Sequence, residues 1–155
     1  MGRQQGGSRY VGLLFSAPFP RRIGRMFGVK NILIVEDQAD VLKLLGVALQ
    51  HPERKIRQSL SADQAWLLVQ EEAPDVILLD IMMPGELDGL DLLQRLRADQ
   101  RFDNVRVVVI SARAQQRDRI AAIHAGADAF IAKPFRLNEL KRCIDRLLTI
   151  KPSEV

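Results

Sequence analysis

A single cysteine in 155 residues, Cys143, excludes an internal disulfide framework and fits a reducing, cytoplasmic setting. Cys143 falls on an amphipathic pattern, where a thiol packs rather than reacts. No apolar run approaches the roughly 18 residues of a membrane span, so membrane insertion is not expected. Aromatic residues make up only 5% of the chain, and there is no internal repeat. Acidic residues are missing altogether from residues 1–30, which hold Arg3, Arg9, Arg21, Arg22, Arg25 and Lys30. Removing those six from the 23 basic residues leaves 17 against 19 acidic ones. The net charge of +4 therefore describes a basic head on a mildly acidic domain, not a basic DNA-binding face. No direct contact with nucleic acid is expected.

What is present is one domain's worth of chain, 47% hydrophobic, enough to bury a core unaided. Residues 1–28 have no sustained period and read as a disordered basic extension or a leader from an upstream start, with Met26 as an alternative start. A basic arm for a membrane or partner is the sharper but less favoured alternative. Tyr10 to Phe15 is too short and broken for a secretory apolar region. The five residues 151–155 form a tail too short for a second domain, so no attached output domain is expected.

From Lys30 a regular alternation begins. Asn31 to Val35 reads as a buried strand ending in Glu36-Asp37, followed by a helical stripe at Val41, Leu44, Leu45 and Ala48. Lys55 to Ser59 is a shorter, more polar strand that suits a sheet edge. Ser61 opens the next helix with Gln64 at capping-box spacing and Trp66, Leu67 and Leu68 inside it. Four consecutive apolar residues, Val76 to Leu79, run into Asp80 and form a strand buried on both faces. After Pro84-Gly85 a helix from about Asp88 carries Leu92, Leu93 and Leu96. Val105 to Ile110 is another buried strand ending at Ser111, and a helix through Ile120 and Ile123 closes at Ala125-Gly126. Ala129 to Ala132 ends at Lys133-Pro134, and Leu137, Leu140, Ile144, Leu147 and Leu148 stripe a last helix. Five strands alternating with five helices predict right-handed βαβ units and an α/β, doubly wound parallel sheet.

The strand ends converge. Glu36 and Asp37, Asp80, Ser111 and Lys133 all stand at carboxyl ends, on the edge where doubly wound sheets bind ligands. Singly, each has a plain explanation: Glu36, Asp37 or Asp80 as a cap, Ser111 as a turn residue, Lys133 as a solvated cation. Together, three crowded carboxylates repel one another, and a hard divalent cation resolves the repulsion. Magnesium takes a couple of carboxylates and leaves positions open to phosphate oxygens. The Ser111 hydroxyl and Lys133 ammonium can meet the other oxygens of a phosphoryl group, which is most of what phosphoryl transfer requires. His51 and His124 fall off this edge and are not expected to be catalytic.

These pieces resemble the receiver domain of two-component response regulators. The matching stretches are Ile32 to Asp37, Leu78 to Gly85, Val109 to Ala112, Gly126 to Phe130 and Lys133-Pro134-Phe135, together spanning about residues 30–150. The resemblance implies the flavodoxin-like five-stranded order 2-1-3-4-5, and Asp80 as the acceptor of a phosphoryl group from a histidine kinase or histidine phosphotransfer protein. It implies magnesium held directly by Asp37, Asp80 and the backbone carbonyl of Met82, with Glu36 acting through metal-bound water. It also implies a switch pair, Ser111 and Phe130, a Lys133 that pairs with Asp80 and then the phosphate, and a cis Lys133–Pro134 bond. Strand five and the last two helices would form the output face toward a protein effector. Such a domain would be a signalling module rather than an enzyme, catalysing only its own phosphotransfer and dephosphorylation.

Two departures stand out. The turn Pro84-Gly85-Glu86-Leu87-Asp88-Gly89 is one residue longer than the commonest form, and Phe130 lacks the frequent tyrosine hydroxyl, leaving packing alone to place it. Met82 and Arg113, a bulky pair two residues past Asp80 and Ser111, are expected to hinder the hydrolytic water and lengthen the phosphorylated lifetime. Arg113, Arg117 and Arg119 mark either a partner surface or a solvated helix face. Two other readings use the same residues. An aspartyl-phosphate phosphatase shares the chemistry, but carries a second aspartate two residues past the nucleophile, where Met82 stands here. A phosphorylation-independent interaction module commonly lacks part of the constellation, and none is missing.

Overall fold

The computed structural model describes residues 28–149 except 84 and 86. All but Gly28 of the expected basic extension, Met26 with it, and the tail over 151–155 lie outside the described residues. So do Pro84 and Glu86 of the long turn.

Ten regular elements alternate: β1 (Lys30–Val35), α1 (Ala39–Ala48), β2 (Arg54–Ser59), α2 (Ala62–Glu71), β3 (Val76–Asp80), α3 (Gly89–Arg97), β4 (Arg106–Ser111), α4 (Gln116–His124), β5 (Ala129–Ala132) and α5 (Leu137–Thr149). A 3-10 turn, Gln100–Phe102, follows α3. The strands form one parallel sheet in the order β2-β1-β3-β4-β5, the α/β doubly wound, flavodoxin-like architecture expected.

Alternation along the central strands separates the core into two layers. Leu33, Val35, Ile77, Leu79, Val107 and Val109 face one side and pack with α2 and α3 through Ala65, Val69, Leu92, Leu93 and Leu96. Ile32, Ile34, Val76, Leu78, Val108 and Ile110 face the other and pack with α1 and α5 through Leu42, Leu45, Leu49, Leu140 and Ile144. Burial on both faces is why β1, β3 and β4 read as unbroken apolar runs. β2, partly or fully exposed along all but its last residue, lies at the edge.

Three helical stripes differ from their sequence reading. In α1 and its C-cap the inward residues are Leu42, Leu45 and Leu49, at helical spacing, while Leu44 is 51% exposed. In α2 the three consecutive residues Trp66, Leu67 and Leu68 cannot share one face. Ala62, Ala65 and Val69 face the sheet instead, Trp66 and Leu68 pack at the margin, and Leu67 is exposed. α4 sits on the sheet through Ala122, a small residue that lets the helix approach, and this leaves Ile120 and Ile123 about half exposed.

The starts of α2 and α3 are set by side chains. Ser61 accepts a hydrogen bond from the Gln64 N–H at 3.1 Å, and Asp88 and Asp91 cap α3 reciprocally. Gly126, with φ at +109°, ends α4 in the left-handed conformation that favours glycine.

Candidate phosphoryl-transfer site

Strand register assembles the site. Val35 is level with Leu79, Asp80 with Ile110, and Ser111 with Ala132. The next residues, Glu36, Asp80, Ser111 and Lys133, therefore emerge within a rung of one another at the carboxyl edge. Glu36 and Ser111 are wholly buried and Asp80 is 3% exposed.

Lys133 joins two of the acids. Its Nζ donates to Glu36 Oε1 and to Asp80 Oδ2, each at 3.0 Å. The other Asp80 oxygen, Oδ1, accepts the Met82 N–H at 2.8 Å, and Glu36 Oε2 accepts the Gln38 N–H at 3.1 Å. One carboxylate oxygen from each of Glu36, Asp37 and Asp80 lies within 4.8 Å of the other two. Three carboxylates around one ammonium leave the cluster short of positive charge, and this all-oxygen donor set fits a hard divalent cation.

Protonation follows from the same contacts. Burial pushes Glu36 above its ordinary carboxylate range, outweighing the Gln38 N–H and the Lys133 hydrogen bond that favour its charge. For Lys133 burial acts to lower the pKa, but hydrogen bonds and charges from Glu36 and Asp80 overcome it and hold the ammonium above its usual value. The lysine is a fixed cation at neutral pH.

Ser111 stands in this row, and its Oγ accepts the Arg113 N–H at 3.0 Å. The Arg113 side chain is mostly exposed and reaches Asp118 at 3.6 Å. Met82 is 45% exposed beside Asp80. Phe130 pairs with Val109 in the sheet and is half-buried, with the Arg119 guanidinium 4.9 Å from its ring centroid. The ring is thus placed by a cation–π contact as well as by packing, which corrects the expectation of packing alone. The Lys133–Pro134 bond is cis. His51 caps a turn before β2, its Nδ1 accepting the Glu53 N–H, and His124 ends α4.

One site residue escaped the sequence reading. Gly89 opens α3 directly against the chain at Asp80 and Ile81, and a Cβ there would lie well inside contact distance of the Asp80 carbonyl oxygen and Ile81 Cα. The available signal was a glycine directly after the Asp88 cap, where a side chain is otherwise tolerated. Among the described residues no helix is long and apolar enough to cross a membrane.

Comparison with known proteins identifies the family of this chain. Residues 32–145 match the family model described as the response regulator receiver domain. Response regulator Rre1 of Synechocystis sp. is 36% identical over 119 residues, covering 76% of this chain and 51% of the relative. The KDP operon transcriptional regulatory protein KdpE of Escherichia coli is 35% identical over 111 residues, covering 72% and 48%. The chain spans about half the length of the curated relatives it matches. Among solved structures, the receiver domain of NtrX from Brucella abortus superposes with a TM-score of 0.70 at 33% identity, covering 77% of this chain and 99% of that one. A response regulator from Chloroflexus aurantiacus gives 0.73 at 27% identity, covering 79% and 99%.

Proposed function

This chain belongs to the response regulator receiver domain family, and from that membership we propose that Asp80 is the phosphoacceptor of a two-component or phosphorelay system. The donor is the phosphohistidine of a histidine kinase or histidine phosphotransfer protein. A carboxylate oxygen of Asp80 attacks phosphorus, the P–N bond of the donor breaks, and a P–O bond to Asp80 forms.

The observation that carries this reading is the row of chemically distinct groups at one sheet edge: the buried Asp80, the Lys133 ammonium shared with Glu36, and the Ser111 hydroxyl one rung away. Lys133 holds the acceptor and, once a phosphoryl group is present, supplies a cation to its oxygens. Ser111 exchanges its Arg113 contact for a phosphoryl oxygen, to which its O–H donates. Asp37, Asp80 and the Met82 carbonyl would hold magnesium with Glu36 behind them, and the bound ion offsets the charge of the acids and the phosphoryl group. Phe130 turns inward as Ser111 moves, and the change leaves through α4, β5 and α5 to a protein effector. The setting proposed is the cytoplasm, where a lone thiol such as Cys143 stays reduced.

Beryllofluoride, which stands in for a phosphoryl group on a carboxylate, tests this. With magnesium, the Ser111 and Phe130 resonances of the wild type shift to a new saturated position, and those of Asp80→Asn stay put. A response that survives in Asp80→Asn would remove Asp80 from the role.

A further inference from the structure

A tyrosine at position 130 would have a hydroxyl to anchor it. Phe130 has none, so its orientation depends on what meets the ring. The Arg119 guanidinium lies over it at 4.9 Å. Arg119 is exposed on α4, and among the described residues it forms no ion pair with a carboxylate, so the ring is its specific partner. The contact ends a short chain of links. The Arg113 N–H holds the Ser111 hydroxyl at 3.0 Å, the Arg113 guanidinium reaches Asp118 at 3.6 Å, and Asp118 adjoins Arg119 in the first turn of α4. Both members of the proposed switch, Ser111 and Phe130, are therefore held by the one segment that runs from the end of β4 into α4.

We propose that Arg119 is a positioning residue that clasps Phe130 in its resting orientation, so that activation must separate the guanidinium from the ring. The inference rests on the receiver reading above. When Ser111 gives up the Arg113 N–H for a phosphoryl oxygen, the 111–119 segment loses one anchor and the clasp loosens with it. Inward rotation of Phe130 withdraws the ring from Arg119. A contact made only in the resting arrangement opposes activation by its own strength.

The test uses Arg119→Met, which keeps reach and bulk without charge, Arg119→Lys, which keeps a cation, and 4-fluorophenylalanine incorporated throughout. The Phe130 fluorine signal is assigned by its loss in Phe130→Leu. In a beryllofluoride titration with magnesium, half-saturation in Arg119→Met falls about 2- to 5-fold below wild type, the scale of an exposed cation–π contact. Before any addition, its Phe130 signal already lies part-way to the saturated position. Arg119→Lys recovers part of the wild-type value, and in a Phe130→Leu background Arg119→Met changes nothing. Equal half-saturation in wild type and Arg119→Met overturns the proposal, as does an equal effect with and without the Phe130 ring. A wild type with no saturable response, or one shared by Asp80→Asn, instead removes the receiver reading and the clasp with it.

Discussion

At Glu36 complete burial opposes ionisation, while the Gln38 N–H and the Lys133 ammonium favour it, and burial prevails. A folded-state pKa above the unfolded one means that the folded protein binds this proton more tightly. The group therefore destabilises the metal-free fold at neutral pH, and stability returns as pH falls through its raised pKa. Glu36→Gln keeps an acceptor for Lys133 and removes the charge. In chelator at neutral pH the variant is expected to melt above wild type, with the gap closing as pH is lowered. Its magnesium affinity, read by titration, should drop on the order of tenfold. Met82 and Arg113 make a second residue-scale case. Met82 stands half-exposed beside Asp80, and the Arg113 guanidinium reaches Asp118 at 3.6 Å. Met82→Asn with Arg113→Ala is expected to shorten the phosphoryl lifetime, measured by loss of adduct mass. An unchanged lifetime would show that their bulk does not reach the hydrolytic path.

Element placement explains both what the sequence revealed and what it concealed. β1, β3 and β4 were legible because burial on both faces demands unbroken apolar residues, and each run stops where the chain meets the site. α5 was legible because Leu140 and Ile144 anchor a clear stripe. The phases of α1, α2 and α4 were not, because alanines and a shifted leucine set do the packing while Leu44, Leu67, Ile120 and Ile123 stand partly in water. Hydrophobicity alone does not separate a core leucine from an exposed one on a helix that offers both. The Arg119 contact was hidden for a related reason, since a helix-surface arginine carries no pattern that names its partner. Gly89 was hidden because its role lies in a close approach of α3 to β3 that only the fold creates. Gly89→Ala forces Asp80 and Ile81 to shift, and should cost about 1–3 kcal/mol in urea unfolding together with slower adduct formation at Asp80. An alanine that left both unchanged would mean that α3 can move away from the acceptor freely.

For the molecule as a whole, the parallel order β2-β1-β3-β4-β5 matters because it sets β1 beside β3 at the point where strand order reverses. That arrangement brings the acids of two strands to one crevice and places Ser111 and Lys133 on the two strands beyond. The two core layers lie on either side of the sheet, one packed with α2 and α3 and the other with α1 and α5. The central claim is that Asp80 is the one carboxylate in this crevice that takes a phosphoryl group. Incubation with magnesium and acetyl phosphate, followed by intact mass, measures it directly, with Asp80→Asn alongside. A single phosphoryl adduct on wild type, absent without magnesium and absent from Asp80→Asn, is the predicted result. An adduct that persists in Asp80→Asn, or a wild type that takes none, would contradict it.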